Sequence, residues 1–256
     1  MMTANRLPVT QLSHDDCLLL ADVLPDSPET VITTSQLRRG LAKAWVVGEA
    51  AGFETAVVED TGQPGEPIVF GEDVTQIAAV LPHIPNWDCA NVPFHLAGQL
   101  APLLERKMGC PLRHLADVYH TLNQPVPQLS HPQVRLLTPE DMPLLAAASF
   151  ELQGPHPQRT LLEMKIAAAV VNGQLAAIAQ NYARSSLYGE IGVHTLPDFR
   201  ERGLASAAAA QIAYYIQSLG LTPVWSCGEH NEASLRVAHK LGFREVSRRT
   251  YLILDR

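Results

Sequence analysis

The sequence predicts an α+β chain in two parts: a mixed central sheet flanked by helices in the second part, and an additional α+β domain in the first. Three observations carry this. The polar stretch Asn123 to Pro132 holds three prolines, which fit neither a helix interior nor a central strand. It reads as a linker that divides residues 1–125 from residues 133–256. Asn172-Gly173 between two apolar runs marks a type I′ hairpin. After that hairpin, strand and helix patterns alternate, as a mixed sheet requires.

In the first part, Asp15 to Val23 reads as a helix with acidic residues in its first turn. Thr34 and Ser35 are expected to cap a helix that continues through Lys43. Thr55 to Glu59 and Pro67 to Phe70 read as short strands around the turn Thr61 to Gly65. Asp73 should cap a helix to Leu81, Leu96 to Met108 forms another, and Arg113 to Leu122 is a strand. In the second part, Val134 to Leu137 is a strand, and Thr138-Pro139-Glu140-Asp141 opens a helix with a Thr cap, an N1 proline and acids. Ile166 to Val171 and Leu175 to Ala179 are the hairpin strands, and Tyr188 to Leu196 follows as a third. A helix runs from about Gly203 to Leu219 on an apolar stripe and stops at Gly220. Pro223 to Cys227 is a strand, Asn231 caps a helix to Leu241 that Gly242 ends, and Phe243 to Leu254 closes the chain with one strand or two.

Hydrophobic residues make up 46% and charged residues 18% of the 256, the balance of a globular protein with a substantial core. The net charge of −7 argues against nucleic acid or an anionic membrane as partner. Cys17, Cys89, Cys110 and Cys227 form no C-x-x-C pair, so no metal site is expected and a reducing compartment suits them. Met1 to Leu20 does not read as a signal peptide, and runs such as Leu144 to Phe150 are too short to cross a bilayer. A cytoplasmic protein is expected.

The chemistry concentrates in Glu190 to Ser206. A strand runs into Pro197, then a short basic turn opens a helix. The first amides of a helix lack intrahelical partners and its dipole favours an anion. Gly203 lets the backbone approach a bulky phosphate, while Arg200 and Arg202 supply positive charge. No Walker-type loop occurs, and Gly189 and Gly192 do not lead into a helix as a dinucleotide fingerprint would.

At these residues the sequence resembles the GNAT superfamily of acyl-CoA-dependent N-acetyltransferases. Its pyrophosphate loop Q/R-x-x-G-x-G/A is matched by Arg200-x-x-Gly203-x-Ala205. A second segment, Asn231-Glu232-Ala233-Ser234 followed by Lys240-Leu241-Gly242-Phe243, is similar to the family's N-x-x-[AS]…K-x-G-F ending. The resemblance covers roughly residues 133 to 254. It implies the GNAT fold and acetyl-CoA as cosubstrate without a metal. It also implies a cofactor site built from Val193, Thr195, Arg200, Glu201, Arg202, Gly203, Leu204, Ala205, Ser206, Asn231 and Ser234.

N-acylation needs a base for the amine proton. Glu190 stands in the strand where the superfamily often carries a catalytic Glu, and alternation puts Gly192 and His194 on its face. His194 is the second candidate, because an imidazole titrates near neutral pH. The tyrosine that many members use as acid falls at Ala238 here. Free CoA thiol leaves as thiolate without an acid, or Ser234, Cys227 or Tyr188 substitutes. The expected reaction moves an acetyl group from acetyl-CoA to the primary amine of a small molecule or peptide, by direct attack in a ternary complex. The expected chain is a monomer or homodimer. A CoA-binding regulatory module without turnover is the alternative, and Ala238 is its best support.

The first part lacks an R-x-x-G-x-A loop. Yet Trp87-Asp88-Cys89-Ala90-Asn91 echoes Trp225-Ser226-Cys227 and Asn231, and Lys107-Met108-Gly109-Cys110 echoes Lys240-Leu241-Gly242-Phe243. A degenerate GNAT-like half that shapes the acceptor pocket is the expectation.

Overall fold

The computed structural model describes residues 9–154 and 157–255. The start of the first predicted domain, residues 1–8, lies outside them, as does part of the segment read for a signal peptide.

The first half of the chain forms β1 (Val9–Gln11), α1 (His14–Val23), α2 (Val31–Arg38), β2 (Ala42–Val47), β3 (Thr55–Asp60), β4 (Ile68–Gly71), α3 (Val74–Val80), β5 (Cys89–Pro93), α4 (Ala97–Met108) and β6 (Leu112–Thr121). The second half forms β7 (Val134–Leu136), α5 (Met142–Ala146), α6 (Phe150–Gln153), α7 (Pro157–Glu163), β8 (Ile166–Val171), β9 (Gln174–Arg184), β10 (Tyr188–Thr195), α8 (Leu204–Ser218), β11 (Thr222–Gly228), α9 (Glu232–Leu241) and β12 (Arg244–Leu254).

The expected helix over Thr34 to Lys43 is displaced. Thr34 and Ser35 lie inside α2, and Lys43 already belongs to β2. The turn that precedes α2 is tied earlier, where the Ser27 amide donates to Thr30 Oγ1. Gly40, at φ +66°, then separates the helix from the strand. The other capping signals hold. Asp73 accepts from the Thr75 and Gln76 amides, Asn231 accepts from the Ser234 amide, and Thr138 and Asp141 form a capping box. Asn172 and Gly173 both have positive φ, 51° and 80°, as a type I′ turn demands.

The chain divides into two compact units. One contains 9–25, 32–118 and 248–255, and the other contains 26–31 and 119–247. The larger part of the last strand, from residue 248 on, thus completes the first unit, while its start and the end of β6 belong to the second. Each unit is a mixed sheet flanked by helices. In the first, β1, β2, β3 and β4 are antiparallel neighbours, β4 runs parallel to β5, and β12 lies antiparallel to β5. In the second, β7, β8, β9 and β10 are antiparallel neighbours, β10 runs parallel to β11, and the Leu122 amide donates to Pro223 O.

The second unit's core lies between its sheet and helices α8 and α9. Alanines permit the close fit: Ala167 and Ala169 of β8, and Ala207 to Ala210 of α8, are all buried. Gly189 is part of the same fit. A Cβ there would stand 2.8 Å from Ile216 Cγ2 of α8. In the first unit, Trp87, Leu100 and Leu104 centre a separate cluster with Ala90, Val92 and Leu252. On the opposite side of that sheet Arg249 of β12 is buried, donating to Val69 O of β4 at 2.6 Å and to Asn91 O of β5 at 3.2 Å.

Candidate functional site

Strand β10 delivers the site. Its core-facing residues Ile191 and Val193 pack with the second unit's main apolar cluster. Glu190, Gly192 and His194 take the other face, as alternation predicts. A register shift against β9 falls between Glu190 and Ile191. A Cβ built on Gly192 would lie 3.6 Å from Gln180 and 3.6 Å from Tyr182. That face therefore carries polar side chains from β9 as well.

Beyond Thr195 a single 3₁₀ turn, Pro197 to Phe199, leads to the basic turn. Glu201 and Gly203 both sit in the left-handed region, at φ 62° and 79°. Glu201 is thus held in a conformation that glycine or asparagine takes far more readily than glutamate, one that turns successive amides toward one side. Helix α8 starts at Leu204 with Gly203 as its cap residue, and no side chain caps it. The first helical bond runs from the Ala207 amide to Gly203 O. The Leu204, Ala205 and Ser206 amides consequently have no carbonyl behind them to reach. A Cβ on Gly203 would meet nothing within 4 Å, so the space in front of the helix start is open.

Arg200 is exposed, its Nε 3.4 Å from Thr195 O. Arg202 is exposed too, donating to Asp198 O at 2.6 Å with its guanidinium 5.1 Å from the Phe199 ring centroid. Thr195 Oγ1 is buried beside this turn and meets no hydrogen-bonding group among the described residues. Open amides, two cationic side chains and an unused hydroxyl form a donor set for a phosphate-bearing ligand. A CoA diphosphate fits these residues. Leu204 and Ser206 are buried and Ala205 half-buried, so these three offer backbone amides to such a ligand.

Strand β11 forms the other side of the site. Its register with β10 runs from Tyr188↔Thr222 to Glu190↔Val224. Both strands continue beyond those pairs, β10 to Thr195 and β11 to Gly228. Where the pairing ends, Glu190 reaches across: its Oε1 accepts from the Ser226 amide at 3.0 Å and from Ser226 Oγ at 2.8 Å. Glu190 is 3% exposed. His194 is half-buried on the same face, and near it Glu151 of α6 is held below the usual carboxylate range, chiefly by the hydrogen bond from Ser149.

After β11, Asn231 spends its Oδ1 on capping α9 and is itself exposed. Ser234 Oγ accepts from Trp225 Nε1 at 2.9 Å. Ala238 is 0% exposed and packs into the core with Leu241 and Phe243, so the position offers a buried methyl. Cys227 is half-buried beside the same cluster, and Tyr188 is half-buried at the start of β10. Ser226 had no sequence signal of its own, because its role comes from a partner 36 residues away. Among the described residues no group of three or more His, Cys, Asp or Glu side chains is placed to hold a metal ion, and no helix is long and apolar enough to cross a membrane.

Residues 167–252 match the family model of the GNAT acetyltransferases. An uncharacterized N-acetyltransferase of Bacillus subtilis, YdfB, is 34% identical over 61 residues, a match that takes in 24% of this chain and 23% of that protein. Among solved structures, a GCN5-related N-acetyltransferase-like protein of Streptococcus suis superposes with a TM-score of 0.67 at 21% identity, over 93% of this chain and 98% of that one. A tandem GNAT protein from the clavulanic acid biosynthesis pathway superposes with a TM-score of 0.58 at 14% identity, over 96% and 97%. Such identities speak for the fold. The family match falls on the strand, turn and helix just described, so residues 167–252 of this chain are similar to the GNAT acetyltransferases over the segment that carries the site.

Proposed function

We propose that the protein is an N-acetyltransferase that moves the acetyl group of acetyl-CoA to a primary amine. The observation that carries this reading is the uncapped start of α8, with Arg200 and Arg202 before it, beside a parallel strand pair that parts beyond Glu190. The diphosphate lies against the amides of Gly203 to Ser206, with Arg200 and Arg202 supplying charge and Glu201 holding the turn. The pantetheine arm follows the free edge of β10 past Thr195 and Val193, with Asn231 and Ser234 on its other side. Backbone groups where two strands part need partners, and an amide-bearing chain supplies them.

The amine lone pair attacks the thioester carbonyl, the C–S bond breaks, and CoA leaves as thiolate. The amine proton passes to a base. His194 is half-buried and open to direct contact, whereas Glu190 is buried with Oε1 engaged, so His194 is the better acceptor of the two. With a methyl at 238, the thiolate leaves unprotonated. The acceptor is a small-molecule or peptide amine. Neither nucleic acid nor a membrane is a partner, the chain works in the cytoplasm as a monomer or homodimer, and no metal takes part. A CoA-binding regulatory module is the second reading, favoured by the buried Ala238.

Calorimetry with CoA tests the site. Gly203→Glu places a carboxylate where the diphosphate binds and a side chain at φ +79°, so binding should vanish. Unchanged affinity would remove the site. CoA release with a panel of amines, aminoglycosides and amino acids then separates the enzyme from the regulatory module, which binds but never turns over.

A further inference from the structure

The parting of β10 and β11 begins at one side-chain contact. In a parallel ladder the Ser226 amide, two residues beyond the last pair Glu190↔Val224, would seek a carbonyl of β10. It donates instead to Glu190 Oε1, and the Ser226 hydroxyl donates to the same oxygen. The carboxylate thus stands in for a rung of the ladder and ends it. From Glu190 to Thr195 the strand rises by about 17 Å, at about 3.3 Å per residue. An extended pantetheine arm is of similar length. An arm that starts from a diphosphate at α8 therefore brings its thioester to the Glu190–Ser226 contact.

We infer that Glu190 and Ser226 are a pair of positioning residues that fix where the strands part, and so fix the acyl end of acetyl-CoA. The inference rests on the acetyl-CoA reading above. It assigns a role to Ser226 and makes Glu190 a hydrogen-bond acceptor rather than the base. What the pair needs from position 190 is an oxygen that accepts two donors, and a glutamine amide supplies one. What it needs from position 226 is a hydroxyl, and threonine supplies one.

The test compares Glu190→Gln, Glu190→Ala, Ser226→Ala and Ser226→Thr with the native protein. Calorimetry measures acetyl-CoA and CoA separately, and hydrogen exchange follows the Ser226 amide. Glu190→Gln and Ser226→Thr should hold both affinities within about threefold. Glu190→Ala and Ser226→Ala should weaken acetyl-CoA about tenfold, the loss of one charge-assisted hydrogen bond, while CoA changes less than about threefold. General loosening of the fold would weaken both ligands alike, and that result overturns the inference. So does a Glu190→Gln protein as impaired as Glu190→Ala. If the native protein binds neither ligand, the function proposed above fails. The exchange data still decide the clamp: faster exchange at Ser226 in Glu190→Ala supports it, and unchanged exchange overturns it.

Discussion

At the scale of single residues, the site depends on groups whose purpose is visible in different ways. Arg200, Gly203 and Ala205 are readable from sequence because the turn, the left-handed cap and the helix start are all local. Ser226 is not, since nothing near it in the chain shows that a carboxylate 36 residues earlier will meet it. Gly189 is another such position. It lies in a strand at ordinary backbone angles, and only the approach of Ile216 from α8 demands that it lack a side chain. Gly189→Ala would place a methyl 2.8 Å from Ile216 Cγ2, inside any normal contact. Overpacking of this kind typically costs about 1–3 kcal/mol, so denaturant unfolding should show a loss of that size. Ile216→Val removes one methyl group at the contact and should recover part of it in the double mutant.

Among the elements, those bounded by capping chemistry are where the sequence puts them, and those set by tertiary contacts are not. Thr34 and Ser35 look like caps, yet they are buried inside α2, and β2 follows almost at once because Ala44 to Val47 pack into the sheet. Strand β5 carries little sequence signal because it is five residues long and buried on both sides: its polar Asn91 is buried on the side of Arg249, and Ala90 and Val92 on the side of α4. The start of α5 is the opposite case. Arg135 and Thr138 hold Asp141 at the capping box, with Arg135 Nη2 at 2.6 Å, and the arginine is the main reason that the carboxyl is lowered to about 2. A carboxyl depressed below its unfolded value of about 3.9 stabilises fully above that pH and loses its contribution as the pH falls toward 2. Between pH 4 and 2 the native protein should therefore lose more stability than Asp141→Asn, which has no such charge to lose. Thermal melts across that range measure the difference, and equal slopes would contradict it.

For the whole molecule, the two units repeat one plan: four antiparallel strands, a helix, a parallel strand, a helix, and a final strand. Of the two echoes, the glycines fall at matching places, since Gly109 and Gly242 end the helices that follow the fifth strands, at φ 72° and 94°, whereas Trp87 lies before β5 and Trp225 in the middle of β11. The exchange of terminal segments between units was not legible, because strand order is decided by packing far along the chain. The plan is shared, but the helix that follows the fourth strand differs at its start. Asp73 accepts from the Thr75 and Gln76 amides, so α3 carries its own anion at the place where α8 leaves amides open. Glu72 precedes it, where Arg200 and Arg202 precede α8. A phosphate would meet two carboxylates at α3 and two guanidinium groups at α8, and charge repulsion alone rules out the first. The parallel strands of the first unit are in addition bridged by Arg249, which occupies carbonyls on β4 and β5. Calorimetry should therefore find one CoA per chain, and Gly203→Glu should abolish all binding rather than half of it. Two sites per chain, or a residual half in that mutant, would mean that the first unit binds CoA despite its carboxylates.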